Sequence, residues 1–201
     1  MDRHCQTVFT RWEVPLENYD TVLFQSGFAN AFVNSLIVSV PATIIPITAA
    51  AFAAYAFSWM DFKGREPLFV IFVALLVVPL QVAFIPLLRV FGFFDLNNTF
   101  LAVWLAHTGF GMPLAVYILR NYMGSLPKEV IESAKVDGAS QFQTFWRLIV
   151  PLSVPALAAF GIFQFLWTWN DFLVALVFLG GTPDVEVVTV ALANLVGSRG
   201  Q

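Results

Sequence analysis

The ionisable residues inside the apolar stretches of this sequence are its first candidates for chemistry. His107 lies in an uncharged run from 96 to 119, and Asp171 directly follows another such run from 148 to 170. A carrier coupled to ions needs charges within the membrane, and Asp171 and Arg89 are the residues that could meet that need. A membrane-embedded enzyme needs a nucleophile with its base, or two carboxylates within reach. His107 with Asp171 is too small a set for an enzyme, so we do not predict catalysis.

The second candidate is a charged stretch between two apolar ones. Residues Lys128 to Arg147 hold six ionised side chains. Pro127 suits the first turn of a helix, and Lys128 to Val136 favours helix with an apolar stripe. Gly138 ends that helix, because glycine is the usual residue just beyond a helix C-terminus. The stripe consists of Val130, Ile131 and Ala134.

A further helix is predicted after this turn. Ser140 to Gln143 has the capping-box pattern, in which a serine and a glutamine three residues later each accept a backbone hydrogen bond. The helix that starts there runs through Phe142, Phe145 and Trp146 into the next apolar segment. From the pattern alone, two interpretations of the charged stretch remain: an amphipathic connector in the membrane interface, or a surface that meets a partner protein.

The composition identifies the class of protein that contains these elements. Hydrophobic residues make up 59% of the chain, charged residues 11%, and the mean hydropathy is +0.78. Soluble domains carry about 25% charged residues, so this is an integral membrane protein.

The net charge is −3 without a basic cluster, which argues against nucleic-acid binding. The single Cys5 cannot form an internal disulfide, no Cys/His spacing predicts a metal site, and residues 1–20 lack the apolar core of a signal peptide.

Four membrane spans follow from the charge-free intervals 21–60, 67–88, 96–119 and 148–170. A helix needs about 20 apolar residues to cross a bilayer. The predicted fold is therefore an all-α transmembrane helical bundle. We expect spans at Ala31–Met60, at Pro67–Phe91 with kinks at Pro79 and Pro86, at Thr99–Met123 with an interruption at Gly109–Pro113, and at Leu152–Leu179.

Positive charge predicts the orientation of the bundle. The connections 61–66 and 120–147 share one side and hold six Lys and Arg residues, against four on the opposite side. The positive-inside rule therefore places the charged region 124–151, within a membrane domain 31–180, in the cytoplasm. Residues 1–30 and 181–201 become external segments, and both ends of the chain are expected to be cut.

A resemblance explains the charged stretch. Glu132-Ser133-Ala134, three residues, Gly138, nine residues and Leu148-Ile149-Val150-Pro151 resemble the EAA loop of ABC-importer permeases, whose pattern is EAA, three residues, G, nine residues and I-x-L-P. Ser133 replaces an alanine, Leu148 an isoleucine and Val150 a leucine. The motif spans twenty residues between two predicted membrane helices.

The resemblance covers nearly the whole chain from about Asn18. The segments "NSLIVSVPATIIPITAAAFAAYAFSWMDFKGR", "VVPLQVAFIPLLRVFGFFDLNNTFLAVWLAH" and "FLWTWNDFLVALVFL" resemble maltose-type carbohydrate-uptake permeases. The ending "TVALANLVGSRGQ" resembles the alpha-glucoside branch of that group. Members have six spans, so the resemblance implies that this sequence, with four, lacks the first and the last.

The resemblance implies a function and a set of partners. The chain would be a multi-pass permease subunit of an ATP-driven sugar importer in the bacterial inner membrane, and not an enzyme. Its partners would be a second permease, two cytoplasmic ATPase subunits that bind the EAA loops, and an extracytoplasmic sugar-binding protein, in contact with membrane lipid. ATP and Mg²⁺ would belong to the ATPase, since this sequence has no Gly-x-x-x-x-Gly-Lys-Ser/Thr loop. The implied ATPase-coupling residues are Glu132, Ser133, Ala134, Asp137, Gly138, Leu148 and Pro151.

Polar residues within the spans are candidates for a substrate pathway. Asn170 and Asp171 beside Trp167 could give sugar hydroxyls hydrogen bonds and a stacking surface. The competing interpretation, which we favour, places Trp167 and the nearby Trp169 at the outer interface and packs Asp171 between helices. Gln81 and Gln164 could line the pathway or join helices, and His107 is expected to have a hydrogen-bonded structural role. The predicted pathway set is Gln81, Gln164, Trp167, Asn170 and Asp171.

Overall fold

The structure, a computed structural model, describes residues 27–180 and 182–199, and all regular elements in these residues are helices. This confirms the predicted all-α fold. The helices are α1 (Phe28–Trp59), α2 (Arg65–Leu75), α3 (Leu80–Phe93), α4 (Phe100–Gly124), α5 (Lys128–Val136), α6 (Gln141–Leu152), α7 (Val154–Trp169), α8 (Leu173–Leu179) and α9 (Val188–Arg199). Within α6, a π-helical turn at Phe145–Ile149 joins Gln141–Thr144 to Val150–Leu152.

The two long apolar helices α1 and α4 form the centre of the bundle. They run antiparallel, because Trp104 Nε1 donates to the Ile37 carbonyl at one end and Ser58 Oγ donates to the Arg120 carbonyl at the other. Fully buried alanines such as Ala50 allow their backbones to approach closely. Either helix is long and apolar enough to cross a membrane, and the described residues contain four such spans if each of two bent helix pairs counts as one.

The predicted kink at Pro79 is found as a full break between two helices, and no break occurs at Pro86. Helices α2 and α3 meet at an angle of 104°. The break lies at Pro79, whose extended backbone (ψ 129°) begins α3, and a residue that precedes proline is disfavoured in the helical conformation. Pro86 lies inside α3 without ending it. One of the two prolines therefore breaks the element and the other is accommodated.

The predicted interruption of the third span at Gly109–Pro113 is wrong. Helix α4 continues through this segment to Gly124. Proline removes one backbone donor but leaves the rest of the helical ladder in place. Thr99 caps the start of α4, since its Oγ1 accepts a hydrogen bond from the Ala102 N–H at 3.3 Å.

The fourth predicted span, Leu152–Leu179, is two helices rather than one. α7 ends at Trp169 and α8 starts at Leu173. The break has a polar cause: Asn170 Nδ2 donates to the Leu166 carbonyl at the end of α7, and Asp171 Oδ2 accepts from the Ala175 N–H at the start of α8. The helix from the charged stretch does not run straight into this span either, because α6 and α7 meet at 71°.

The C-terminal part of the described chain packs against the start of α1. Asn34 Nδ2 donates to the carbonyls of Asp184 and Glu186, both at 3.0 Å, and Ser35 Oγ accepts from the Val188 N–H at the start of α9. Within the segment 1–30, residues 1–26 lie outside the described residues, and α1 begins at Phe28, before the predicted Ala31. The sides of the membrane assigned to 1–30 and 181–201 remain predictions.

Two hydrophobic cores lie at opposite ends of the bundle. The loop-end core is formed where α1 and α4 end; among its buried members are Tyr55, Leu119, Met123, Ile131, Phe145 and Ile149. The far-end core is formed by α3, α4, α8 and α9; among its buried members are Phe84, Ala106, Val174, Phe178 and Val190.

Candidate functional site

Helix α5 and the turn after it form as the sequence predicts. The helix covers Lys128–Val136, and Gly138 has φ +78°, the left-handed conformation that favours glycine. The Ala139 N–H donates to the Ala134 carbonyl at 2.9 Å, and the Gly138 N–H donates to the Lys135 carbonyl at 3.1 Å. These two bonds are a Schellman motif, which satisfies carbonyls at the end of a helix. Gly138 thus ends α5 and turns the chain towards α6.

The start of α6 carries the predicted capping box. The Gln143 N–H donates to Ser140 Oγ at 3.2 Å, and the Ser140 N–H donates to Gln143 Oε1 at 2.9 Å. Two backbone donors that the helix cannot use are thereby satisfied. The two short helices therefore have defined ends and form a structured hairpin, which we call the coupling hairpin (residues 128–152).

The coupling hairpin presents a mixed charged and apolar surface. Ala134 is buried and Leu148 half-buried, and the other predicted coupling residues are exposed: Glu132, Ser133, Asp137, Gly138 and Pro151. Val136 is 87% exposed and Phe142 67% exposed. Sequence reasoning did not select these two apolar side chains. Their positions on either side of Gly138 could have identified them, since a tight turn leaves its flanking residues little to pack against.

The inner face of the coupling hairpin is fixed to α1. Ile131 is 1% exposed in the loop-end core. Phe145 stacks on Phe52 with ring centroids 4.6 Å apart and lies 5.3 Å from the Tyr55 ring. The Tyr55 hydroxyl also donates to Gln141 Oε1. These contacts pack the coupling hairpin tightly against the end of α1.

A cavity of about 720 Å³ lies between the α2–α3 break, α4 and α7. Its walls are mainly apolar, and Gln164 and Trp167 contribute to its lining. Gln164 is fully buried; its Nε2 donates to the Ala42 carbonyl at 3.3 Å, and its Oε1 has no hydrogen-bond partner among the described residues. A Cβ on Gly111 would lie 2.8 Å from that oxygen. Gly111 thus makes room for the amide.

The other residues of the predicted pathway set lie elsewhere. Gln81 is exposed on α3 and does not line the cavity. Asn170 is exposed and caps α7, and Asp171 caps α8. The structure therefore brings Gln164 and Trp167 together and leaves Gln81, Asn170 and Asp171 outside their cavity.

Asp171 instead lies beside His107. His107 Nε2 and Asp171 Oδ2 are 3.9 Å apart, and the His107 ring meets the Trp167 ring edge-on at 5.4 Å. The expected hydrogen bond to His107 is not found, because neither imidazole nitrogen has a partner in the described part of the chain. The Thr168 hydroxyl is also buried and unpartnered there. Asp171 packs between helices, as the favoured interpretation expects, and the position of the tryptophans at the outer interface stays a prediction.

The described residues contain no group of three or more His, Cys, Asp or Glu that could hold a metal ion. Neither the cavity nor the His107 pair therefore has a metal-site donor set. The arrangement suits hydrogen bonding and packing.

Comparison with known proteins gives a consistent result. Residues 25–197 match the family described as binding-protein-dependent transport system inner membrane component. The chain is 63% identical over 186 residues to the osmoprotective compounds uptake permease protein GgtD of Synechocystis sp., an alignment that covers 92% of this chain and 62% of the relative. It is 58% identical over 190 residues to the alpha-glucoside transport system permease protein AglG of Rhizobium meliloti, covering 92% of this chain and 50% of the relative.

The fold has a solved counterpart. The structure superposes with a TM-score of 0.77 on a chain of a bacterial ABC transporter involved in the import of the acidic polysaccharide alginate, at 23% identity, covering 90% of this chain and 62% of that chain. At that identity the likeness shows the fold alone. The chain spans between one half and two thirds of the length of the relatives named above.

Proposed function

The chain belongs to the binding-protein-dependent transport system inner membrane components, and from that premise we propose that it is the permease subunit of an ATP-driven sugar importer. The observation that carries the proposal is the coupling hairpin. It is exposed on its outer face and fixed to α1 on its inner face, as a transmission element must be.

The outer face is suited to docking in a cleft of an ATPase. Val136 and Phe142 stand at the turn and offer apolar area that water solvates poorly. Glu132 is exposed beside them and has no ion pair within the described residues, so its carboxylate is available to a basic group or a backbone amide of the partner. ATP and Mg²⁺ would be bound by that partner and not by this chain.

The inner face carries the motion to the membrane helices. When two ATPase subunits close on ATP, the coupling hairpin would move with them. Phe145 and Tyr55 link that movement to α1, and the bend at Ser153 links it to α7. A second permease of the same kind would complete the pathway, and an extracytoplasmic binding protein would deliver the solute.

The substrate class we propose is alpha-glucosides. A relative at 58% identity is named as an alpha-glucoside permease. The cavity beside α7 is lined by Trp167 and by Gln164, whose Oε1 is buried and has no donor within the described residues. Sugars present hydroxyl donors and flat C–H faces, which match an amide acceptor and an aromatic ring.

The relative at 63% identity favours a second candidate solute. It is named for the uptake of osmoprotective compounds. The permease would then carry a small osmoprotective solute in place of an oligosaccharide. Uptake assays with both solute classes distinguish the two.

The test uses the transporter assembled with its own partners and reconstituted in vesicles. Gly138→Val places a Cβ in a left-handed conformation, which costs about 1–2 kcal/mol per residue, and the bulk hinders docking. Gly138→Val and Glu132→Lys should each lower binding-protein-stimulated ATP hydrolysis and solute uptake together. For Gly138→Val the reduction should be roughly fivefold or more if this energy is lost from coupling. Co-purification with the partners should stay normal.

The loop 61–66, at the same end of the bundle as the coupling hairpin, provides matched controls. Gly64 has φ +89°, and a Cβ added to it would meet nothing within 4 Å, so Gly64→Val imposes the same backbone strain outside the coupling hairpin. Glu66→Lys likewise reverses an exposed charge there. Both controls should keep stimulated hydrolysis near the wild-type rate. Wild-type stimulation in Gly138→Val and Glu132→Lys would leave the hairpin as a connector and refute the coupling role.

A further inference from the structure

A polar pocket lies at the loop end of the bundle, away from the cavity beside Gln164. It has a volume of about 320 Å³ and forms where α1 and α4 end and α2 begins. Arg65, Arg120 and Asn121 line it, together with Ser58 and Ser125. The functions proposed above do not use these residues.

The pocket's free hydrogen-bond donors come from its arginines. Ser58 Oγ donates to the Arg120 carbonyl and Ser125 Oγ to the Tyr122 carbonyl, so both hydroxyl protons are already directed at backbone. A guanidinium has five N–H donors. Among the described residues, Arg120 is seen to use one of them, in a long 3.5 Å bond from Nη1 to Asn121 Oδ1. Most of its donors are therefore available to a ligand.

The Arg120 guanidinium is held in position by an aromatic ring. Its central carbon lies 4.5 Å from the centroid of the Phe69 ring on α2. This cation–π contact occupies one face of the planar group. The N–H groups lie along its edge and stay open. A planar guanidinium fixed in this way is suited to binding two oxygens of a phosphate at once.

The local charge favours a ligand with a single negative charge. Arg65 Nη1 lies 3.3 Å from Asp61 Oδ1, and Arg65 Nε lies 3.2 Å from Glu66 Oε1. Lys63 is the remaining charge of that loop, so with Arg120 there are three basic and two acidic side chains, a net charge of +1. Arg120 has no acidic partner within the described residues.

Two aromatic residues beside the pocket indicate its depth in the membrane. Trp59 ends α1, and Tyr122 lies in the last turn of α4. Both residue types are enriched where a membrane protein meets the headgroup layer. We propose that this pocket binds the phosphate of an anionic phospholipid headgroup, with Arg120 as its main contact and Arg65 as a second donor.

The test measures lipid retention by native mass spectrometry on the transporter, purified in detergent in the assembly it forms. Phosphatidylglycerol and phosphatidylcholine with identical acyl chains are added in separate titrations. The wild type should retain phosphatidylglycerol preferentially. Arg120→Gln should weaken its retention about fivefold, the effect of one basic charge near a membrane surface. Arg89→Gln removes an exposed arginine near the far end, in α3, and should match the wild type.

A second variant, which raises the local positive charge and does not lower it, tests the proposal if Arg120→Gln does not assemble. The Asp61 side chain is fully exposed, so Asp61→Asn leaves the packing intact while it raises the local charge to +2. Retention of phosphatidylglycerol should then rise, by about fivefold at most. An unchanged lipid preference in Arg120→Gln or no rise in Asp61→Asn overturns the proposal. So does equal retention of phosphatidylcholine, and so does displacement of the lipid by millimolar inorganic phosphate, which would identify a soluble anion as the ligand.

Discussion

The two ends of the bundle satisfy their buried polar groups differently. At the loop end, the Tyr55 hydroxyl bonds Gln141, Ser58 bonds the Arg120 carbonyl and the Trp59 indole bonds the Met123 carbonyl. Towards the far end, several buried polar atoms have no partner within the described residues. They belong to Asn97, His107, Gln164 and Thr168, whereas the loop end has one such atom among the same residues, the Ser153 hydroxyl at the bend between α6 and α7.

We expect this difference to make the two ends of the bundle unequal in rigidity. A buried polar atom without a partner costs about 1–3 kcal/mol, so the far half of the bundle gains stability from any rearrangement, water or ligand that satisfies these atoms. The loop end has a single atom of this kind within the described residues, the Ser153 hydroxyl, and therefore gains less in this way. We infer that the loop end moves as one rigid unit with the coupling hairpin and that the far half is where conformational change is least costly.

The largest effect is expected from loosening the loop-end core. Phe145 is 3% exposed and stacks on Phe52. Phe145→Ala should therefore lower the free energy of unfolding by about 3–5 kcal/mol. Phe142→Ala is the matched control, because Phe142 is 67% exposed, and it should change stability little. Thermal unfolding of the purified protein in detergent measures both, and equal shifts would show that the hairpin is not fixed to the bundle.

A smaller effect is expected beside the Gln164 cavity. In Gly111→Ala the new Cβ would lie within 3.1 Å of three atoms of the Gln164 amide, which is held by the Ala42 carbonyl. We expect a loss of about 1–3 kcal/mol. Gly109→Ala, two residues earlier in α4, meets nothing within 4 Å and should be neutral or slightly stabilising. Equal thermal shifts would mean that Gln164 moves aside freely.

The smallest stability changes are expected from removing one buried hydroxyl at each end of the bundle, and their direction distinguishes the two ends. Tyr55→Phe removes a satisfied hydroxyl at the loop end and should cost about 1 kcal/mol. Thr168→Val replaces an unpartnered buried hydroxyl with a methyl group of similar size and should be neutral or gain up to about 1 kcal/mol. The melting temperature should therefore fall for Tyr55→Phe, and it should stay the same or rise for Thr168→Val. A clear loss in Thr168→Val would show that its hydroxyl has a partner, such as bound water.

The sequence predicts local geometry well and tertiary contacts poorly. The Gly138 turn and the Ser140 capping box form as expected, because their hydrogen bonds are made within five residues. The sequence does not distinguish Pro79, which breaks an element, from Pro86, which does not, because packing around each proline decides the outcome.

The same limit applies to the candidate sites. His107 and Asp171 come together only through the break between α7 and α8, which the hydrophobic run 148–170 does not reveal. Gln81 and Gln164 are alike in the sequence, yet only Gln164 faces the cavity. Which side of α3 faces the bundle depends on the 104° bend before it.

The central claim is that the coupling hairpin, and not the 61–66 loop, docks the ATPase. Single cysteines at Val136 and Phe142, with Lys63→Cys for comparison, can be cross-linked to a cysteine-bearing ATPase in the assembled transporter with and without ATP. All three positions are exposed, so access does not bias the result. The account predicts strong cross-links from 136 and 142 that change with ATP, and weak ones from 63. Strong cross-links from 63 with none from 136 or 142 would contradict it.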